Sequence, residues 1–303
     1  MFDFYSKRKV YYIISALLLI VGIVGLFING VKLDITFSGG AKITYSYTGA
    51  EINATDVAAL VKETLGRDAT VQNATGYQND DTSLVISLAG TESLTTEEQD
   101  KLFDALCAKY KTNAIEQGAT TNVEAAIGNR FLRRGLLAIG LAALFIIGYV
   151  SLRFSVVSGF TAAITALIAL LHDIAMVFFV FVLFNIPIND GFIAVVLTIL
   201  GYSINDTLVV FDRIRENKKR SGNKLGPKEL VNKSIRESLI RTVNTSLMSL
   251  AALVLVLIFG IVQGLTSIVN FALPMMIGII SGCYSSSLLA PSLWCSFKLK
   301  KSK

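Results

Sequence analysis

The sequence predicts a polytopic α-helical membrane protein with about six spans and one α+β domain inserted between the first and second. Three observations carry that reading. Hydrophobic residues make up 53% of the chain and charged residues only 17%, well under the quarter typical of soluble domains. Long apolar runs begin near Val10 and again after Arg134. Between them, from about Val31 to Asn129, the chain has the polarity of an ordinary soluble fold.

The first run, Val10 to Ile28, exceeds a signal-peptide core, and no small-x-small cleavage site follows before Asp34, so an uncleaved anchor is expected. Further spans are expected at Gly135 to Leu152, Val156 to Phe184, Gly191 to Phe211, Leu239 to Val262 and Thr266 to Pro291, each long enough to cross roughly 30 Å of hydrocarbon. Arg153 marks one inner edge, Asn185, Pro187, Asn189 and Asp190 an outer turn, and Gln263-Gly264 a tight one. The expected organisation is residues 1–30 as N-terminus and anchor, 31–129 as the external domain, 130–291 as spans two to six with a loop at 212–238, and 292–303 as a basic tail.

The net charge of +6 does not argue for nucleic acid, because in residues 31–129 acids outnumber bases about two to one. The excess base lies in Lys7, Arg8 and Lys9, in Arg213 to Arg241, and in Lys298, Lys300, Lys301 and Lys303. The positive-inside rule puts all three groups, and hence both termini, in the cytoplasm of a cell-membrane protein. Arg130, Arg133 and Arg134 oppose this locally, and the sum of the loops outweighs them. Cys107, Cys283 and Cys295 are too scattered to imply a disulfide framework.

Within the external segment, Ala41, Ile43, Tyr45 and Tyr47 alternate with Lys42, Thr44 and Ser46, a strand with one buried face. A helix over Thr55 to Leu65 ends at Gly66. Strands follow at Thr70 to Thr75 and Ser83 to Leu88, a helix starts at the capping pattern Thr95 to Glu98, and a last strand is expected at Thr121 to Ala125. The order β-α-β-β-α-β is the ferredoxin-like pattern.

Asp206 lies within the fourth apolar run, where a charge costs about 2.5–3.5 kcal/mol on insertion scales and so faces protein or water. Thr198, Tyr202, Ser203, Asn205 and Asp206 form a polar stripe. Thr161, Thr165, His172 and Asp173 form another in the third span, and Ser238, Arg241, Thr242, Thr245 and Ser249 a third in the fifth. Desolvation opposes charge on Asp206 while a nearby Arg241 supports it, which makes Asp206 a candidate for proton exchange with His172 or Asp173 as relay. The competing reading is a static Asp206–Arg241 ion pair. In the sixth span Pro274, Gly278, Gly282 and Ser285, with Tyr284, Ser286 and Ser287 beside them, read as close helix packing.

His172 is the only histidine, so a zinc site built on two histidines is excluded, and no phosphate-binding GxxxxGK[ST] run occurs. Neither Asp173 nor Asp206 has the glycine-flanked context of an intramembrane aspartyl protease. No metal, cofactor or enzymatic activity is expected.

The run Gly201-Tyr202-Ser203-Ile204-Asn205-Asp206-Thr207-Leu208-Val209-Val210-Phe211-Asp212-Arg213-Ile214-Arg215-Glu216-Asn217 resembles the signature of the SecF family. Phe37-Ser38-Gly39-Gly40, His172-Asp173, Glu237-Ser238, Arg241-Thr242-Val243-Asn244-Thr245-Ser246 and Tyr284-Ser285-Ser286 follow in that family's order. The resemblance implies one six-span half of a resistance-nodulation-division bundle that pairs with SecD. Its implied role is to use the proton-motive force to assist late preprotein translocation through the Sec channel. It implies a proton path through Asp206 and Arg241, supported by Tyr202, Ser203, Asn205, Thr207, Thr242, Asn244, Thr245 and Ser246, and an external motif at Phe37, Gly39 and Gly40. Its partners would be SecD, the Sec channel, the preprotein and protons. Two departures stand out: Asp34 is displaced from the Phe-Ser-Gly-Gly motif, and Arg130 stands where an acidic or small residue is usual. A passive scaffold and half of a proton-coupled lipid or small-molecule exporter are the alternatives.

Overall fold

The structure is a computed structural model that describes residues 3–50, 52–75, 82–89, 94–123, 125–222, 224–263 and 265–301. Among the described residues, six helical stretches are long and apolar enough to cross a bilayer. The first is α1 (Arg8–Asn29). A short helix α2 (Ile35–Ser38) then leads into the sheet domain, made of β1 (Gly40–Tyr47), α3 (Ala54–Leu65), β2 (Ala69–Thr75), β3 (Thr82–Ala89), α4 (Thr96–Lys109) and β4 (Ile115–Val123). The other spans are α5 (Ala125–Arg153), α6 (Gly159–Leu183), α7 (Asp190–Ser221), α8 (Pro227–Val262) and a last stretch of α9 (Thr266–Tyr284), a π-helical turn (Ser285–Leu289) and α10 (Ala290–Lys301).

The sheet order is β2-β3-β1-β4 and every pairing is antiparallel, so the domain has the ferredoxin-like topology expected from the element order. Ile43, Tyr45 and Tyr47 are buried beside Leu84, Ile86 and Leu88, and α3 and α4 cover that face with Val57, Val61, Leu102 and Leu106. Helix α4 opens with a full capping box. Glu98 N–H donates to Thr95 Oγ1 at 3.3 Å, and Thr95 N–H donates to Glu98 Oε2 at 3.0 Å. The entry into β1 turns on Gly39 and Gly40, with φ of 78° and 135°, a region side-chain-bearing residues rarely occupy. Just before them, Phe37 is buried among bundle residues that include Phe181 and Ile186.

The domain sits on the bundle through few contacts. Ile188, in the α6–α7 connection, donates to the Lys32 carbonyl, and its own carbonyl accepts from Asp34 N–H. Thr266 Oγ1, at the start of α9, donates to the Asn73 carbonyl of β2 at 3.1 Å.

Three expectations are corrected. The last strand begins at Ile115, not Thr121, because β4 is a polar edge strand whose Glu116, Gln117 and Gly118 carry no apolar alternation. Helix α5 begins at Ala125, and the part of it apolar enough to cross a membrane is Asn129–Arg153. The expected loop at 212–238 is mostly helix. Arg215–Asp212 at 2.9 Å and Arg220–Glu216 at 2.6 Å carry α7 on to Ser221, and Pro227 opens α8 well before Leu239. Asn217 then donates to Ser234 Oγ and to Glu237, tying the two extensions together. The sixth span does not stop at Pro291, and the tail from 292 is helix as far as Lys301. The widened π turn precedes Pro291 and lets the chain pass it, and Trp294 and Cys295 are fully buried. They join Phe154, Val157, Phe211, Ile214, Val231 and Ile235 in a core at the basic end of the bundle.

Replacing Thr95 by Ala removes one half of the capping box, a loss of about 1 kcal/mol. Amide exchange in the first turn of α4 is expected to quicken about fivefold by hydrogen–deuterium mass spectrometry, with α3 unchanged. The Thr95 N–H holds the Glu98 carboxyl below the usual carboxylate range. The Glu98 half of the box is therefore complete at neutral pH and lost only as pH falls through that lowered value.

Candidate functional site

The polar residues of the bundle, expected as three stripes, gather in two groups. The first centres on Asp173 of α6, which is fully buried. Its Oδ2 accepts from Ser203 Oγ of α7 at 2.6 Å and from Ser285 Oγ at 2.7 Å, and its Oδ1 accepts from Ser281 Oγ of α9 at 2.6 Å. His172 Nδ1 lies 3.2 Å from Oδ1. Short hydroxyl-to-carboxylate bonds of this kind are about twice as strong as neutral ones.

Glycines on α9 permit the approach. A methyl group on Gly282 would sit 3.2 Å from Ser203 Cβ, and one on Gly278 would lie 2.7 Å from Ile199 Cδ1. The His172 ring packs against Tyr284 at 6.1 Å, and its Nε2 is buried without a partner among the described residues. Tyr284 in turn donates to the Tyr11 carbonyl at 2.6 Å and bonds Ser15 at 3.1 Å, which attaches α1 to the cluster.

The second group centres on Asp206 of α7, 2% exposed. Its one described hydrogen bond is a long 3.5 Å contact from Ser246 Oγ of α8. No direct ion pair joins Asp206 to Arg241 among the described residues, although Arg241 is near enough to act electrostatically on the Asp206 carboxyl. Helical geometry gives the reason: Arg241 precedes Ser246 by five residues, about 140° around α8, and projects to the exposed side. There it lines an open cavity of about 530 Å³ with Asn205, Asp212, Glu216, Glu237 and Ser238.

The remaining expected residues divide between the two faces. Tyr202 donates to Ser249 at 3.1 Å, Thr207 donates to the Ser203 carbonyl at 2.9 Å, and Thr242 is buried with a hydroxyl that has no partner among the described residues. Thr198, Asn205, Asn244 and Thr245 are exposed. Thr165 bonds only its own helix. Sequence reasoning passed over Ser281 and read Ser285 as packing. Their four-residue spacing across the end of α9 and the π turn, opposite an Asp-bearing span, was the available signal. Among the described residues no three His, Cys, Asp or Glu side chains gather as a metal site would need.

A family profile described as protein export membrane protein SecD/SecF, C-terminal, matches residues 103–300. The chain is 33% identical to protein translocase subunit SecF of Thermobaculum terrenum, over 99% of this chain and 95% of that one. The chain belongs to the SecF family. As a family member it is a multi-pass membrane protein and an accessory subunit of Sec protein export.

Protein translocase subunit SecDF of Bacillus subtilis is 32% identical over 99% of this chain, which spans 39% of that longer protein. The crystal structure of SecDF from Thermus thermophilus, a translocon-associated membrane protein, superposes with a TM-score of 0.81 at 28% identity, over 98% of this chain and 39% of that one. This chain thus spans about two fifths of the length of those SecDF relatives.

Replacing Ser285 by Ala removes one charge-assisted bond to Asp173 and is expected to cost about 1.5–3 kcal/mol of bundle stability. Thr198→Ala, whose hydroxyl bonds its own helix on an exposed face, is expected to cost under about 0.5 kcal/mol. Thermal unfolding in detergent separates the two. Equal melting of both variants would contradict the cage.

Proposed function

We propose that this chain is the SecF half of a proton-driven export assembly, in which proton exchange at Asp206 shifts helices and moves the sheet domain against emerging polypeptide. The supporting observation is the isolation of Asp206: a carboxylate buried in a span, with one long hydroxyl contact and no ion pair among the described residues. A buried charge without a counter-ion is costly, so such a group holds a proton or meets a partner beyond this chain.

The partner is a SecD-type half. Thr198, Asn205, Arg241, Asn244 and Thr245 are exposed along spans α7 and α8, and polar side chains at that depth suit a second helical bundle better than lipid. Arg241 then belongs to the shared interface. The basic clusters support an orientation with both termini and the α7–α8 extensions in the cytoplasm and the sheet domain outside. The role proposed is that of a translocation subunit rather than an enzyme, in keeping with the SecF relatives.

One proton crossing 100 mV supplies about 2.3 kcal/mol, enough to bias two states separated by a small gap. A passive assembly subunit is the competing reading, favoured by the purely structural look of the Asp173 cage.

Asp206→Asn is expected to reduce gradient-stimulated export in energised membrane vesicles to the rate seen with an uncoupler, while the variant still co-purifies with SecD. Wild-type export by that variant would sink proton coupling. Loss of co-purification would favour assembly.

A further inference from the structure

The turn between α5 and α6 gathers positive charge that the described residues do not neutralise. Lys218 of α7 donates from Nζ to the Val156 carbonyl at 2.7 Å, and Lys298 of α10 donates to Ser158 Oγ at 3.3 Å. The two ammonium groups are close enough to repel one another. Neither has a carboxylate partner among the described residues. Beside them, Arg153 and Arg215 share the single carboxylate of Asp212, at 3.2 and 2.9 Å. Among the described residues, four cations therefore surround one turn with one carboxylate between them.

The cations are held in place rather than waving in solvent. Lys298 lies over the Trp294 ring at 5.2 Å, and Trp294 Nε1 donates to the Val157 carbonyl at 3.0 Å. Arg153 and Arg215 both lie over Phe154, at 5.8 and 5.9 Å. The turn rests on the core that contains Phe154, Val157 and Trp294, so the positive charges are presented without further ordering.

Apolar side chains flank the charges. Val156 is 44% exposed and Phe160 71%, and Phe297 is also exposed. The turn lies at the ends of spans α5 and α6, at the level of lipid headgroups. A soluble anion would use only the lysines, whereas a phospholipid would use the lysines and the apolar surface together.

We propose that the α5–α6 turn binds one anionic phospholipid, its phosphate between Lys218 and Lys298 and its acyl chains against Val156 and Phe160. This rests on the membrane placement of the chain and not on proton exchange at Asp206, so either reading survives failure of the other.

The test is native mass spectrometry of the full chain in detergent, with phosphatidylglycerol or phosphatidylcholine added. The expected result is one phosphatidylglycerol retained in preference to phosphatidylcholine. Retention should weaken by on the order of tenfold to thirtyfold in K218Q/K298Q and stay unchanged in K218R/K298R and in K224Q/K228Q, whose lysines are exposed elsewhere. Equal retention in K218Q/K298Q, equal retention of phosphatidylcholine, or displacement by glycerol phosphate at matched concentration overturns the proposal. Should K218Q/K298Q not fold, photoactivatable phosphatidylglycerol on the wild-type protein decides: labelling of the peptide carrying Val156 and Phe160 supports the site, and labelling only elsewhere overturns it.

Discussion

The bundle is organised by one carboxylate. Asp173 accepts hydroxyl hydrogen bonds from α7, from α9 and from the π turn that follows α9, so three segments are aligned by one side chain of α6. Carboxylate oxygens in a dry interior make such bonds strong when satisfied and costly when broken. The glycines of α9 matter because they bring the serines within reach. Asp206 is the contrasting case: it lies one turn along α7 from Ser203, equally enclosed, and is nearly without partners.

The parts that were legible in the sequence are those where one physical signal dominates. Alternation in Ala41 to Tyr47 located β1, and the Thr95–Glu98 pattern located the start of α4. Hydropathy located the spans but not their ends, since α7 and α8 leave the apolar zone and continue as charged helices supported by ion pairs. A mean over residues cannot distinguish a charged helix from a charged loop. The periodic burial of Phe211, Ile214 and Asn217 shows that helical spacing persisted beneath the charges.

At the site, period alone grouped residues that the fold separates. Asn205 and Asp206 are neighbours in sequence and point to different surroundings, and Arg241 turns to the exposed groove between α7 and α8 while Ser246 faces Asp206. Whether two residues on different helices meet depends on helix rotation, which one chain's sequence leaves open. The serine cage was obscured for a different reason: serine spaced among glycines reads as close packing, and here it serves packing and polar satisfaction at once.

The continuity of α7 has a mechanical consequence. Asp206 stands sixteen residues from Asp190 and fifteen from Ser221, so about 24 Å of unbroken rod extends on either side of it. A rod held at its middle behaves as a balance beam, and a tilt of about 5° would carry its ends roughly 2 Å in opposite directions. One end adjoins the connection that touches the sheet domain, and the other carries Asn217 against Ser234 and Glu237 of α8. A small rotation at the fulcrum would thus be felt on both faces of the membrane at once.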